Sequence, residues 1–342
     1  MKDVLTFLFL SFSVFGNSQE ISGIVFNSRS DEPLEGASVY FDNTTIGTTT
    51  NSKGEFILEI NEFINTSLII SFIGYERVVI QDYYRSDKLE ISLDESSNVL
   101  AEVTLISKDN WSRELKLKEF RRNYLGETIN GLASKILNEE DLILRYNKKK
   151  KQLTAYTSAP ILIKNVNLEY LIMVDLQHFE VNYSDVNMYG KILDVENVYY
   201  FGNNFYKSIE EDPTKSILKK RRDTYFGSPL HFMRAMASGD LKREKYKIYY
   251  RSHPVEPGKY ITVTPIDDLN NVKVEIKKNK LNILFQDDKQ SYIKSNLPEF
   301  YIDNFGNHSP PRAIIFGGDL GKQRIADALP LDFLMMNYKK KD

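Results

Sequence analysis

The sequence predicts a mainly β protein: a small N-terminal β-sandwich or barrel, then a larger antiparallel, β-rich α+β region with a few short helices. Three observations carry this. Apolar residues alternate with period two in short runs, as in Ser38–Phe41 and in Phe56, Leu58 and Ile60. Turn chemistry separates the runs at regular spacing. Tyr and Phe number 21 and 20 among 342 residues, and both favour the half-buried surface of a sheet.

In chain order, Met1–Ser18 reads as a secretory signal. Lys2 supplies the positive start, Val4–Phe15 is an apolar run too short to span a bilayer, and Gly16-Asn17-Ser18 offers a cleavage site before Gln19. No later apolar stretch approaches the roughly 20 residues of a membrane helix. The expectation is an exported protein, periplasmic or associated with the outer membrane or cell surface, and peripheral to a membrane at most. The chain has no cysteine, which excludes disulfides, thiolate metal sites and a cysteine nucleophile. A net charge of −2 gives no global field for nucleic acid.

The first β unit covers residues 19–94. Val39 and Phe41 share one strand face, and Leu68, Ile70 and Phe72 repeat the pattern. Asn51-Ser52-Lys53-Gly54 is a tight turn with Gly54 at the position needing positive φ, and Gly74 separates two strands. Lys88–Leu93 closes the unit. The ordered blocks SGIVFN, PLEGASVYF, IGTTTNSKGEFIL and LIISFIGYERVVI resemble the carboxypeptidase regulatory-like family. The resemblance implies a transthyretin-like, seven-stranded Greek-key sandwich. In the peptidases that module is an accessory domain without catalytic residues, so none carries over.

Residues 95–112 read as a linker containing one more strand, Ala101–Leu105. This VLAEVTLIS segment resembles the one that comes after the same module in TonB-dependent outer-membrane transporters. The remainder of the chain is too short for a 22-stranded barrel at about 10 residues per strand. Residues 113–342 form the β-rich companion region. Blocks such as FRRNYLGETINGLASKILNEEDL and RRDTYFGSPLHFMRA are similar to those of bacterial secreted proteins known for this N-terminal module, which implies architecture rather than chemistry.

Within the companion region, Glu114–Tyr124 reads as a helix with Leu117, Phe120 and Tyr124 on one stripe and Gly126 as its stop. Thr128 caps a second helix, Ile129–Leu137, expected to bury Ile129, Leu132, Ala133 and Ile136. Strands are expected at Leu142–Tyr146, Gln152–Ser158, Leu168–Tyr183, Tyr199–Phe205, Tyr246–Arg251, Tyr260–Pro265, Lys273–Lys277 and Leu281–Gln286. Asn279-Lys280 is expected to be a hairpin turn between the last two. Ser228 and Pro229 open a helix over Leu230–Ala237. The basic runs Lys148–Lys151, Lys219–Arg222 and Lys339–Lys341 read as solvated turns and a tail.

No complete catalytic set appears. His253-Pro254-Val255-Glu256 has the H-x-x-E spacing of a zinc site, yet a catalytic zinc needs a third ligand, His308 is the only later histidine, and the segment is a Pro/Gly-rich loop. His178 and Glu180 share a strand face but lack a third ligand, and read as a solvated face. Gly317–Lys322 lacks the first Gly and the Ser/Thr of a phosphate loop. The expectation is therefore a non-enzymatic protein without metal or cofactor. The densest polar-aromatic cluster, Arg222, Tyr225, His231 and Arg234, is the candidate ligand site, since His231 and Arg234 lie i, i+3 on one helix. Its competing reading is a cap packing Phe232, Met233 and Met236 into the core. Three functions are compatible with these readings: a sandwich for interaction or spacing beside a domain that binds an envelope protein or glycan; a hydrolase or glycan-processing enzyme near His231 and Arg234; or an accessory subunit of an outer-membrane transporter.

Overall fold

The computed structural model describes residues 19–60, 66–83, 88–96, 111–187, 192–267 and 270–333. The expected signal segment at Met1–Ser18, the expected strand at Ala101–Leu105 and the expected tail at Lys339–Lys341 lie outside the described residues.

Seven strands form the N-terminal sandwich: β1 (Gln19–Asn27), β2 (Ser38–Phe41), β3 (Gly47–Thr49), β4 (Glu55–Ile60), β5 (Leu68–Ser71), β6 (Val78–Ile80) and β7 (Leu89–Leu93). One sheet runs β4-β1-β7 and the other β3-β2-β5-β6, with β1 and β7 parallel. The expected seven-stranded sandwich is the one observed. Val25, Val39, Phe41, Leu68, Ile70 and Leu93 are fully enclosed between the sheets. Each such side chain contributes roughly 1.5–3 kcal/mol by leaving water. The turn at Asn51–Gly54 is as expected: Gly54 has φ +72°, and a Cβ there would lie 2.4 Å from the Val25 carbonyl oxygen.

The companion region begins with α1 (Arg113–Tyr124), α2 (Ile129–Leu132), β8 (Ser134–Ile136), β9 (Ile143–Asn147), β10 (Gln152–Tyr156), β11 (Ile161–Asn165), β12 (Tyr170–Asn187) and β13 (Ile192–Ser208). The long β12–β13 hairpin is the spine of a six-stranded sheet. One edge of β12 serves β11 over its first half and β10 over its second, while β13 runs along the other edge. Ser112 caps α1 by accepting from the Leu115 amide, and Phe120 packs edge-on to Phe179 at 4.7 Å.

Then come α3 (Lys215–Tyr225), α4 (Pro229–Ala237), β14 (Tyr246–Tyr250), β15 (His253–Val255), β16 (Ile261–Pro265), β17 (Val272–Ile276), β18 (Lys280–Phe285), β19 (Lys289–Ser295), β20 (Glu299–Ile302), β21 (His308–Ser309), β22 (Ile314–Gly318) and α5 (Asp319–Lys322). They make two sheets, β15-β14-β18-β19-β22 and β16-β17-β20-β21. The companion region thus has two cores, one around Phe120 and Phe179, the other around Phe232, Ile248 and Phe300.

Several expectations are corrected. The second helix stops at Leu132, leaving Ile129 79% and Leu132 77% exposed, because Ser134–Ile136 leaves the helix to pair with β11. Asn279-Lys280 does not close a hairpin: β17 and β18 belong to different sheets, so the chain crosses between layers there. Lys219–Arg222 is not a turn but lies within α3, whose Arg221 is buried. His253–Val255 is a short edge strand on β14 rather than a loop. After Lys322 the sequence pattern of a short helix over Gln323–Ala328 is realised only as a single 3-10 turn, Ile325–Asp327.

Candidate functional site

The four candidate residues lie around the α3–α4 corner and do not form a cleft. Tyr225 and His231 are buried. The His231 ring packs on Tyr225, Phe226, Tyr246 and Phe285 at 5.0–5.6 Å. Its Nδ1 accepts from the Gly227 amide at 3.1 Å, so Nδ1 carries no proton; the Tyr246 hydroxyl lies 2.9 Å from it as a second donor. Nε2 then donates to Glu244 Oε2 at 3.1 Å. Burial holds this imidazole below its ordinary value, against the opposing pull of Glu244. Arg234 donates from Nε to the Phe305 carbonyl at 2.7 Å and from Nη2 to the Leu331 carbonyl at 2.9 Å. Arg222 is exposed on α3. Three of the four are thus committed to internal partners.

The structure instead creates concave surface where the sandwich meets the long hairpin. The alternation in β2 and β5 predicts one buried face, yet Tyr40 and Ile69 are enclosed as completely as Val39 and Ile70. The second face of this sheet lies toward the companion region. Tyr40 donates its hydroxyl to Asp175 Oδ2 at 2.7 Å and its ring lies 5.3 Å from that of Phe205; Ser71 donates to Asp175 Oδ1 at 3.2 Å. Backbone bonds join the two regions as well: Asn43 N to Asn204 O at 2.7 Å, Tyr206 N to Thr44 O at 3.0 Å, and Leu331 N to Asn43 O at 2.8 Å. Asp332 accepts from the Thr45 amide at 3.0 Å and from its hydroxyl. Asp42 accepts from the Asn204 amide at 2.9 Å, and burial pushes its carboxyl up to about 6.

A groove opens on each side of this seam. One, of about 910 Å³, runs beside Gly47–Thr49, Met173, Lys207 and Asp332. The other, of about 760 Å³, lies between the Phe72–Arg77 turn of the sandwich and Arg145, Tyr156 and Leu176 of the companion sheet. Sequence reasoning missed the seam because its partners are far apart in the chain, 135 residues for Tyr40 and Asp175 and 287 for Thr45 and Asp332. One signal was present: Asp175 interrupts the apolar run Tyr170–Val174. Among the described residues no group of three metal-ligating side chains comes together.

The N-terminal fold is that of a small two-sheet sandwich. More particularly, residues 21–105 match the CarboxypepD_reg-like domain. Over 99 residues the chain is 31% identical to the TonB-dependent receptor SusC of Bacteroides thetaiotaomicron; the match covers 29% of this chain and 9% of the receptor. The chain therefore matches only a small part of that receptor's length. Among solved structures, a 9R-lipoxygenase from Cyanothece PCC8801 aligns at a TM-score of 0.19 and 10% identity, over 66% of this chain and 46% of that one. At that score the alignment carries no argument about fold or chemistry.

Proposed function

We propose that this is a non-enzymatic, exported envelope protein whose CarboxypepD_reg-like domain serves interaction or spacing and whose companion domain binds a protein or glycan. The seam supports this reading. Side-chain and backbone hydrogen bonds hold the sandwich against the companion sheet, and the two grooves are formed jointly by both regions. A merely tethered sandwich would need no such bonds. The test is in-cell cross-linking of the tagged chain, then capture from detergent-solubilised envelope. The expected result is a reproducible envelope partner that is lost with Tyr40→Ala. Hydrolysis by purified protein that vanishes on one substitution would overturn the non-enzymatic reading.

A second reading is favoured by one observation, the 31% identity to a TonB-dependent receptor. In it the chain is an accessory subunit of an outer-membrane transporter. It predicts co-purification with a β-barrel protein, and fractionation showing only free periplasmic protein would count against it.

A further inference from the structure

The outer face of the six-stranded sheet continues beyond the seam, along the far half of β12 and β13. There its side chains fall into rows across the strands. His178 pairs with Phe201, Glu180 with Tyr199 and Asn182 with Asn197; on the other side of β12, Gln152 pairs with Asn182. These positions alternate with Phe179 and Val181, which face the core.

Each row has its own chemistry. In the first, the His178 and Phe201 rings stack at 5.4 Å and 14°, with Phe201 38% exposed. In the second, Glu180 Oε2 lies 3.1 Å from His178 Nε2. Arg312 reaches in from the loop after β21, with Nη2 3.4 Å from Glu180 Oε1, and its guanidinium lies 5.0 Å from the Tyr199 ring centre. The third is a ladder of amides: Gln152 Nε2 donates to Asn182 Oδ1 at 2.9 Å, and Asn182 Nδ2 to Asn197 Oδ1 at 2.7 Å.

A solvated strand face ordinarily carries side chains free to rotate. Here planar groups bond to one another, so their rotamers are set in advance and binding would cost less ordering entropy. The charge is internally matched, because Arg312 is paired with Glu180. An anionic polymer needs uncompensated cations, and a protein partner needs large apolar anchors that fill pockets. An exposed ring beside fixed amides, a carboxylate and a guanidinium suits a neutral, hydroxyl-rich chain. A pyranose would lay its C–H face on Phe201, while Glu180, Asn182 and Arg312 meet its hydroxyls.

We infer that this face binds a neutral oligosaccharide laid across the three rows. The inference rests on the proposal that the companion domain is a binding domain, and it narrows the partner to a glycan. The face lies outside residues 21–105 and borrows nothing from the matched module.

The test is affinity electrophoresis of the purified full chain in native gels containing dextran, laminarin, xyloglucan or mannan, with a heparin gel beside them. Retardation is expected in at least one neutral gel and not in heparin. Phe201→Ala and Glu180→Gln should each weaken it at least tenfold with melting temperature unchanged, whereas Tyr301→Ala, an exposed tyrosine on β20, should not. No retardation in any neutral gel, retardation only in heparin, or retardation that survives both substitutions would overturn the inference. Continued capture of an envelope partner by cross-linking would then leave the broader binding reading standing; loss of both results would remove both.

Discussion

The sandwich and the companion region bury their interiors by different means. The sandwich core is apolar and drawn mostly from its own residues, with Phe305, Leu331 and the partly buried Leu230 contributed from outside among the described residues. The companion region adds buried polar anchors between distant segments. Arg221 donates to the carbonyls of Leu168 and Glu169 and lies 3.8 Å from the Tyr170 ring centre. Asp327 accepts from Thr128 at 2.9 Å and Asn130 at 2.8 Å. Asn165 donates to the Ala326 carbonyl at 2.8 Å. The contrast shows that a short local pattern suffices to close a small two-layer unit. Where several sheets and helices could pack in more than one arrangement, directional bonds between distant residues select one, since any other would leave buried polar groups unpaired.

The sharpest way to break this comparison is to empty each region of its own kind of support. Phe41→Ala should cost about 3–5 kcal/mol in chemical denaturation, since it leaves a cavity in a close-packed core. Asp327→Ala should cost about 2–3 kcal/mol by stranding the Thr128 and Asn130 donors. If it cost nothing, the polar anchors would not distinguish the companion region.

Titration sharpens the comparison at the seam, with an effect on the order of 2 kcal/mol. Asp42 is pushed from 3.8 up to about 6, so between these values the folded chain holds a proton that the unfolded chain has lost. Its contribution to stability therefore falls as pH rises through that window and is flat above it. His231 runs the other way. Its folded value lies below 6.5, so stability falls as pH drops below 6.5, where the unfolded imidazole gains a proton first. Denaturation midpoints from pH 4 to 8 should show Asp42→Asn reducing the first slope, to which the buried carboxyls of Asp303, Asp327 and Asp332 also contribute, and leaving the second.

Smaller effects set the scale. Ser228→Ala removes the α4 cap on the His231 amide and should cost about 1 kcal/mol in thermal melts. Arg243→Ala removes an exposed pair with Asp240 and should change stability by less than about 0.5 kcal/mol. A larger loss there would mean that surface pairs also support the companion region.

Legibility divided along the same line. In the sandwich, strand positions, turn glycines and core faces could be read directly, because each depends on neighbours a few residues away. The α1 stripe and the caps at Thr128 and Ser228 were equally local. Misreadings arose where partners were remote. Ser134–Ile136 looked helical until β11 took it as a strand, and Asn279-Lys280 looked like a hairpin although its flanking strands join different layers. The candidate cluster at Tyr225–Arg234 was correctly seen as dense in polar and aromatic groups. Sequence could not show that Gly227, Tyr246, Phe305 and Leu331 supply partners for His231 and Arg234.

By itself the sequence determined a β-rich chain with a small sandwich over residues 19–94, because period-two alternation and turn residues encode strands locally. Only the tertiary structure decided that Tyr40 and Ile69 are buried on the supposed outer face, and that His178, Phe201 and Arg312 meet. Both depend on contacts between residues far apart in the chain, and no local pattern records which distant surface will cover a strand face or which loop will reach it.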